Sequence, residues 1–487
     1  MKKNIIKISL AALTVFVSLT SCERNLDQFS SINEPVDQAM SRPESFRQAL
    51  DGAYTSFKGA GYYSGDNGSQ IIMADVTSDN ILRTASGRGS NFAASNFEFS
   101  SDNSQTTGLF NAGYLVISRA NFVLEHLNNG VLSGAQKANI EAEARAIRAI
   151  AHFDLVRAYS KIPTQSTDAK TSIGIYYAEK YNPLNNTASR DLTVEQVYNK
   201  IIADLSFAAD NITQNDIDNG RLSKAAIYGL LSRVYLYNGD YANTVKFGEL
   251  ALGLSPSITS LDNFTRIWKE NEGITKINDG VLFQVLNAPA ELVTVGAAYN
   301  QAVPKLRSEF VVDYDFYNAY TIADIRRSAY FTTDLYSGKM YNHITKYSGN
   351  GGPSNIVPIK YLRSAEVLLN TAEAYYKSGN SASALTLLNK LRKERYSSFT
   401  PGIETGQALL DAILKERRLE LAFENDRWYT LKRLGLSVQR SGKGDLSNGT
   451  GVPAIVQTLA AGSTKWQWPI PVTAIQANPN IKQNDNY

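Results

Sequence analysis

The stretch YGLLSRVYLYNGDYANTVKFGELALGLSP, residues 228–256, decides the fold. Apolar residues recur at three- and four-residue intervals from Tyr228 to Tyr237, the period of a helix with one buried face. Asn238-Gly239-Asp240 then interrupts the pattern, because glycine suits the C-terminal cap of one helix and a second begins with Tyr241. Periodicity continues to Leu254, and Pro256 ends the unit. Small residues such as Ser232 and Ala251 let the two helices approach, and the rings of Tyr228 and Tyr235 fill the gap. The stretch predicts two antiparallel helices joined by a tight turn.

This spacing resembles a tetratricopeptide repeat. A second copy runs from Leu368 through Ala372 and Tyr375 to Gly379-Asn380, then Ala384 and Leu388. Helical periodicity also marks Pro43 to Phe57, Phe110 to Asn128, Ala135 to Tyr159, Val194 to Ile212 and Ser223 to Asn238. The expected fold class is mainly α, a scaffold of about four tetratricopeptide-like helix pairs with a loop-rich irregular portion carrying short β-strands. The irregular portion is expected in Gly59 to Gly108 and Ser255 to Pro358, rich in Gly, Ser, Asn, Thr and aromatics, with a strand-like run from Val281 to Leu286. Connections this long inside a compact chain are usually functional, so the ligand face is expected there.

The N-terminus reads as a lipoprotein signal peptide. Lys2, Lys3 and Lys7 precede an apolar run from Ile8 to Leu19, too short to span a bilayer, which stops at the lipobox-like Leu19-Thr20-Ser21-Cys22. Cys22, the one cysteine of the 487 residues, is expected to carry lipid, since it leaves no partner for an internal disulfide. The organisation expected is therefore a signal peptide over 1–21, a lipidated tether over 22–40, an N-terminal helical portion over 41–254, a loop-rich ligand-face insert over 255–358 and a C-terminal helical portion over 359–487.

The formal charge of +3 is accounted for by the three lysines before Cys22, leaving the rest near neutral. Nucleic-acid binding is not expected without clustered Lys and Arg, and a densely sulfated or polyuronic ligand is disfavoured unless a local patch overrides the balance. The 27 tyrosines against 19 Phe and 4 Trp suit either packing between helices or a binding face of flat rings with polar tips. Only His126, His152 and His343 are available for acid–base or metal chemistry, no pair fits a zinc motif, and no pair of carboxylates stands out for a glycosidase. No enzyme activity, metal or cofactor is expected. Binding a sugar polymer needs rings to stack on and amides or guanidinium groups to read hydroxyls. Asp75, Asp79, Asn80 and Arg83 cluster before Phe92, Asn96 and Phe97, and Tyr299 with Asn300 follows the strand-like run. Arg83, Asn96, Phe97 and Tyr299 are the expected ligand-binding residues, and a loop anchor or turn residue is the plain alternative for each.

Five further segments stand in order. Glu143–Ala149 is followed by His152–Val156, Tyr159 and Pro163. Asp324–Arg326 with Lys346-Tyr347 precedes Tyr361–Leu369 and Ala372–Ala374. Glu416–Glu424 with Arg427-Trp428 comes next, and the tail carries Trp468–Pro471, Asn478–Asn480 and Gln483-Asn484. Together these segments are similar to the SusD/RagB family, with Ser160 where that family usually has glycine. The resemblance implies a non-enzymatic lipoprotein of the outer membrane, facing the cell exterior, that captures a poly- or oligosaccharide for a SusC-like TonB-dependent transporter. RagB-like members bind peptides instead. The motifs themselves read as architectural, with Trp268, Trp428, Trp466 and Trp468 as packing residues and the charges of Leu409 to Glu424 as solvated or helix-bridging.

Overall fold

Among the described residues, eight long helices form the scaffold: α1 (Ser104–His126), α2 (Gly134–Tyr159), α3 (Val194–Asn211), α4 (Lys224–Asn238), α5 (Tyr241–Leu254), α6 (Ser364–Lys377), α7 (Ser381–Lys393) and α8 (Gly406–Glu420). The computed structural model describes residues 36–182, 188–213, 220–255, 257–268, 280–287, 295–300, 307–348 and 358–487, so the signal peptide, Cys22 and Pro256 lie outside the described residues. The chain divides into two units, 1–47 and 48–487. Of the first, the short helix Val36–Ala39 and the start of the helix Pro43–Thr55 are described. The eight helices belong to the second.

Each helix packs on the next from α1 to α8, and the chain leaves this order of helices once. After α5 the chain leaves the array for more than a hundred residues, then returns along a strand into α6, which packs directly on α5. The irregular segment is thus an insertion into a continuous stack. The two hairpins flanking it share one turn. Gly239 (φ 80°) and Gly379 (φ 84°) take the left-handed cap, Asp240 N–H donates to Tyr235 O at 3.0 Å and Asn380 N–H to Tyr375 O at 2.8 Å. Asp240 and Asn380 then cap α5 and α7 by accepting from Asn243 and Ser383 N–H. Phe247 lies between Tyr228 and Tyr235, 5.8 and 5.5 Å from their ring centres.

The α5–α6 seam is tight because Gly248 faces Thr371, and a Cβ on Gly248 would collide with Thr371 Oγ1 and sit 3.2 Å from its Cβ. Gly248→Val is therefore expected to cost about 1–3 kcal/mol by overpacking, read as a lower urea midpoint with unchanged slope. Below the seam Leu368, Leu369 and Ala372 of α6, Leu388 and Leu391 of α7, and Leu409 and Ile413 of α8 form one buried apolar cluster.

Among the described residues, four two-stranded antiparallel sheets lie outside the long helices. β1 (Ile81–Arg83) pairs with β3 (Phe310–Val312), β2 (Val281–Val285) with β6 (Ile359–Arg363), β4 (Phe331–Tyr336) with β5 (Lys339–Ile344), and β7 (Val438–Gln439) with β8 (Thr458–Leu459). The first stretch expected to be loop also holds short helices, including Gln70–Val76 and Phe92–Ser95.

Charged residues of α8 tie the insertion to the helices. The alternative of a solvated charge run fails here, because Glu416, Arg417 and Glu420 are buried. Glu420 receives Arg363 and Arg395 at 2.8 Å each, Glu416 receives Arg326 at 2.8 Å, and Glu424 receives Arg363 at 2.6 Å and Lys346 at 2.7 Å. Arg326 also pairs with Asp324 at 2.8 Å, so the insertion contributes Asp324, Arg326 and Lys346 to one network. Burial alone would raise the carboxyl pKa values. The charges of Arg395 and Arg363 outweigh it at Glu420, and that of Arg326 at Glu416, so both are held below the usual carboxylate range.

A depressed native pKa means that the unfolded chain takes up protons first on acidification. The stability these groups supply is present above about pH 4.3 and is lost as pH falls through their native values. The thermal midpoint is expected to fall steeply below about pH 4.3, and Glu420→Gln to flatten that limb. Asp75 acts with the opposite sign: burial pushes it up to about 7, so its contribution weakens the fold as pH rises from about 4 towards 7.

The helix motifs are architectural in detail. Arg148 of α2 grips Asp204 of α3 through two 2.8 Å bonds, and Asp154 accepts Tyr62 and Tyr63 hydroxyls at 2.6 and 3.0 Å. His152 is buried, with Nδ1 on Arg148 O and Nε2 accepting from Ala178 N–H. Trp268, Trp428, Trp466 and Trp468 are all buried.

Candidate functional site

Three chain segments meet at a shallow pocket lined by Arg83, Phe92, Asn96, Arg440, Pro453 and Ile455 among others. Strand pairing sets the first wall: Arg83 ends β1 opposite Phe310 of β3. The helical turn Phe92–Ser95 sets the second, leaving Phe92 37% exposed and Asn96 at its C-terminal end. The loop between β7 and β8 sets the third, with Ile455 69% exposed.

Arg440 stitches these walls together. Its guanidinium lies 4.8 Å from the Phe97 ring centre and donates to the carbonyls of Val76, Ser78, Ser95 and Val456 at 2.7–3.1 Å. Loss of solvent on burial pulls its pKa down to about 10. Asp445 closes the opposite side, accepting from Ala85 N–H at 2.9 Å and Val452 N–H at 2.8 Å. The backbone of the pocket is thus fixed before any ligand arrives.

Two polar side chains in this fixed frame are idle. Arg83 is half-buried, its guanidinium sits 4.7 Å from the Phe92 ring centre, and it makes no hydrogen bond or ion pair among the described residues. Its Nε is fully buried without a partner. Asn96, 7% exposed, lines the same pocket, and its carboxamide also has no hydrogen bond among the described residues. Polar groups in such places are normally satisfied, and leaving one unpaired costs about 1–3 kcal/mol. Free donors beside an exposed ring can stack one ring-shaped apolar face and read the hydroxyls around it.

Arg83 and Asn96 thus share one pocket, and Phe97 and Tyr299 do not join them there. Phe97 is 1% exposed, in the left-handed region (φ 58°), stacked on Trp428 at 6.3 Å beneath Arg440. Tyr299 is also 1% exposed, stacked on Tyr347 at 6.3 Å and 5.6 Å from Phe423. Both rings are occupied by protein neighbours, which makes them core residues instead of contact faces. Asp79 and Asn80 are loop anchors: Asp79 takes Arg427 through two 2.7 Å bonds, and Asn80 accepts from Arg418 and donates to Asp75. Arg440 and Ile455 were missed because they lie in the C-terminal portion. The Gly-, Ser- and Asn-rich run from Ser441 to Gly451 was the available signal.

Two other places were candidates. A larger cavity of about 500 Å³ is lined by Ser160, Lys161, Asp168, Ser463, Gln467 and Gln483, among others. Its polar groups largely satisfy one another, as with Lys161 on Asp168 at 2.6 Å and Gln483 on Ile470, and it offers no ring. Ser308 Oγ meets His343 Nδ1 at 2.7 Å, but both are buried and the same hydroxyl lies on Tyr299 O, so this pair braces the insertion.

Residues 292–487 match the model of the SusD family, and residues 26–236 match a model described as starch-binding, associating with outer membrane. A SusD-like protein of Formosa agariphila, P2, is 24% identical over 91% of this chain and 94% of its own length. A SusD superfamily protein of Bacteroides thetaiotaomicron superposes with a TM-score of 0.79 at 24% identity, covering 91% of this chain and 100% of that one. A surface glycan-binding protein A from Bacteroides fluxus gives 0.72 at 19% identity, covering 91% and 99%.

Proposed function

The chain belongs to the SusD/RagB family, and from that premise we propose that it is a non-enzymatic carbohydrate-binding protein of the outer membrane. It captures a poly- or oligosaccharide and delivers it to a SusC-like TonB-dependent transporter, held at the cell exterior by lipid on Cys22. The ligand seat is the pocket of Arg83, Phe92 and Asn96. The observation that carries this reading is the idle guanidinium and carboxamide beside the exposed Phe92 ring in a frame already fixed by Arg440 and Asp445. Phe92 stacks on the apolar face of a sugar, while Arg83 and Asn96 bond its hydroxyls. The carbohydrate-binding and outer-membrane descriptions among its relatives support the same class.

The test is affinity electrophoresis of residues 23–487 through gels containing soluble polysaccharides, with a parallel calorimetric screen of mixed peptides. Retardation by a glycan that leaves no new reducing ends, and that Arg83→Ala abolishes, is the expected result. Silence across the glycans with heat from the peptides would overturn it in favour of a RagB-like peptide binder.

A further inference from the structure

We infer that the glycan taken by this pocket is acidic, its ring seated on Phe92 and a carboxylate or sulfate group held by Arg83; this rests on the carbohydrate-binding reading above. Three observations meet here. The lining carries two guanidinium groups, Arg83 and Arg440, and no Asp or Glu side chain. Of the two, Arg440 has its donors filled by four carbonyls, whereas Arg83 faces no carboxylate among the described residues. A guanidinium is always charged, and its planar fork matches a carboxylate or sulfate with two parallel bonds.

The second observation is contrast with the neighbours. Arg88, a few residues along the same loop, is matched by Asp66 at 2.5 Å and Glu309 at 3.1 Å, while Arg418 and Arg427 share Asp79. The nearest acids to the pocket wall are committed elsewhere: Asp445 accepts backbone N–H groups of Ala85 and Val452, and Asp313 accepts Ser441 Oγ and caps a helical turn. Among the described residues Arg440 and Arg307 also lack a carboxylate, but their guanidinium groups are held by backbone carbonyls, whereas that of Arg83, in the pocket lining, has no hydrogen-bond acceptor at all.

The third is size. The pocket is small, about 60 Å³ against about 500 Å³ for the cavity between Ser160 and Gln483. A compact charged substituent suits such a space, with its sugar ring against Phe92. A carboxylate in this hole meets Arg83 and Asn96 together. The near-neutral balance of the chain is not contradicted, because two guanidinium groups with no carboxylate in the pocket lining set the local field.

The experiment pairs each acidic ligand with its neutral twin. Oligogalacturonate, alginate oligosaccharides and sulfated galactan oligosaccharides are titrated by calorimetry against the protein, beside the methyl-esterified or desulfated forms and neutral glucans and mannans. The expected result is at least one acidic ligand bound roughly ten- to a hundred-fold more tightly than its neutral twin, a gap that Arg83→Gln removes and salt narrows. Should Arg83→Gln unfold the chain, Phe92→Ala serves as the second variant, weakening acid and neutral forms alike and leaving the gap. Equal or tighter binding of the neutral forms would overturn the acidic class and leave the glycan reading standing. Silence across both halves of the panel would overturn the glycan reading itself.

Discussion

Glu420→Ala is expected to destabilise the chain by about 3–5 kcal/mol, the range for removing one partner of a buried ion pair. Glu420 is fully buried and accepts Arg363 at 2.8 Å and Arg395 at 2.8 and 2.9 Å, with Arg326 at 3.4 Å. Alanine leaves guanidinium groups facing one another without the central carboxylate. Glu420→Gln keeps the volume and one acceptor, so its loss is smaller. Urea unfolding followed by far-ultraviolet circular dichroism measures both, and a change under about 1 kcal/mol in the alanine variant would contradict the role given to the network.

The second large effect is on binding. Arg83→Ala removes charged donors facing the ligand and is expected to lower affinity about ten- to a hundred-fold, since hydrogen bonds to charged groups contribute about 1.5–3 kcal/mol. Asn96→Ala costs less, about 1 kcal/mol, as a neutral group does. Neither disturbs the fold, because neither side chain has a hydrogen bond among the described residues to lose. Tyr299→Phe is the counterpart: its hydroxyl is buried without a partner, so affinity stays put and stability holds or rises. Calorimetry on the glycan identified by electrophoresis decides all three, and an affinity change at Tyr299 equal to that at Arg83 would move the seat.

The helical half was legible because its signals are local. Gly239-Asp240 and Gly379-Asn380 announce their turns within a few residues, and the periods around them announce the buried faces. The charges of Glu416–Glu424 were ambiguous because their partners, Arg326, Lys346, Arg363 and Arg395, are distant in sequence or on other elements, and a helix pattern carries no record of what packs against it. The site was half legible for the same reason. A loop rich in Arg, Asn and Phe marks a ligand face by composition, but whether a ring points outward depends on tertiary packing: Phe92 is exposed while Phe97 is turned inward by a left-handed backbone. Arg440 comes from the far end of the chain, so no spacing could join it to Arg83.

The most direct test of the central claim is a crystal structure of residues 23–487 with a bound oligosaccharide. The account predicts a sugar ring packed on Phe92, with hydroxyl or carboxylate oxygens within about 3 Å of the Arg83 guanidinium and the Asn96 carboxamide. A sugar seated instead in the cavity between Ser160 and Gln483, with the Arg83 pocket filled only by water, would contradict it.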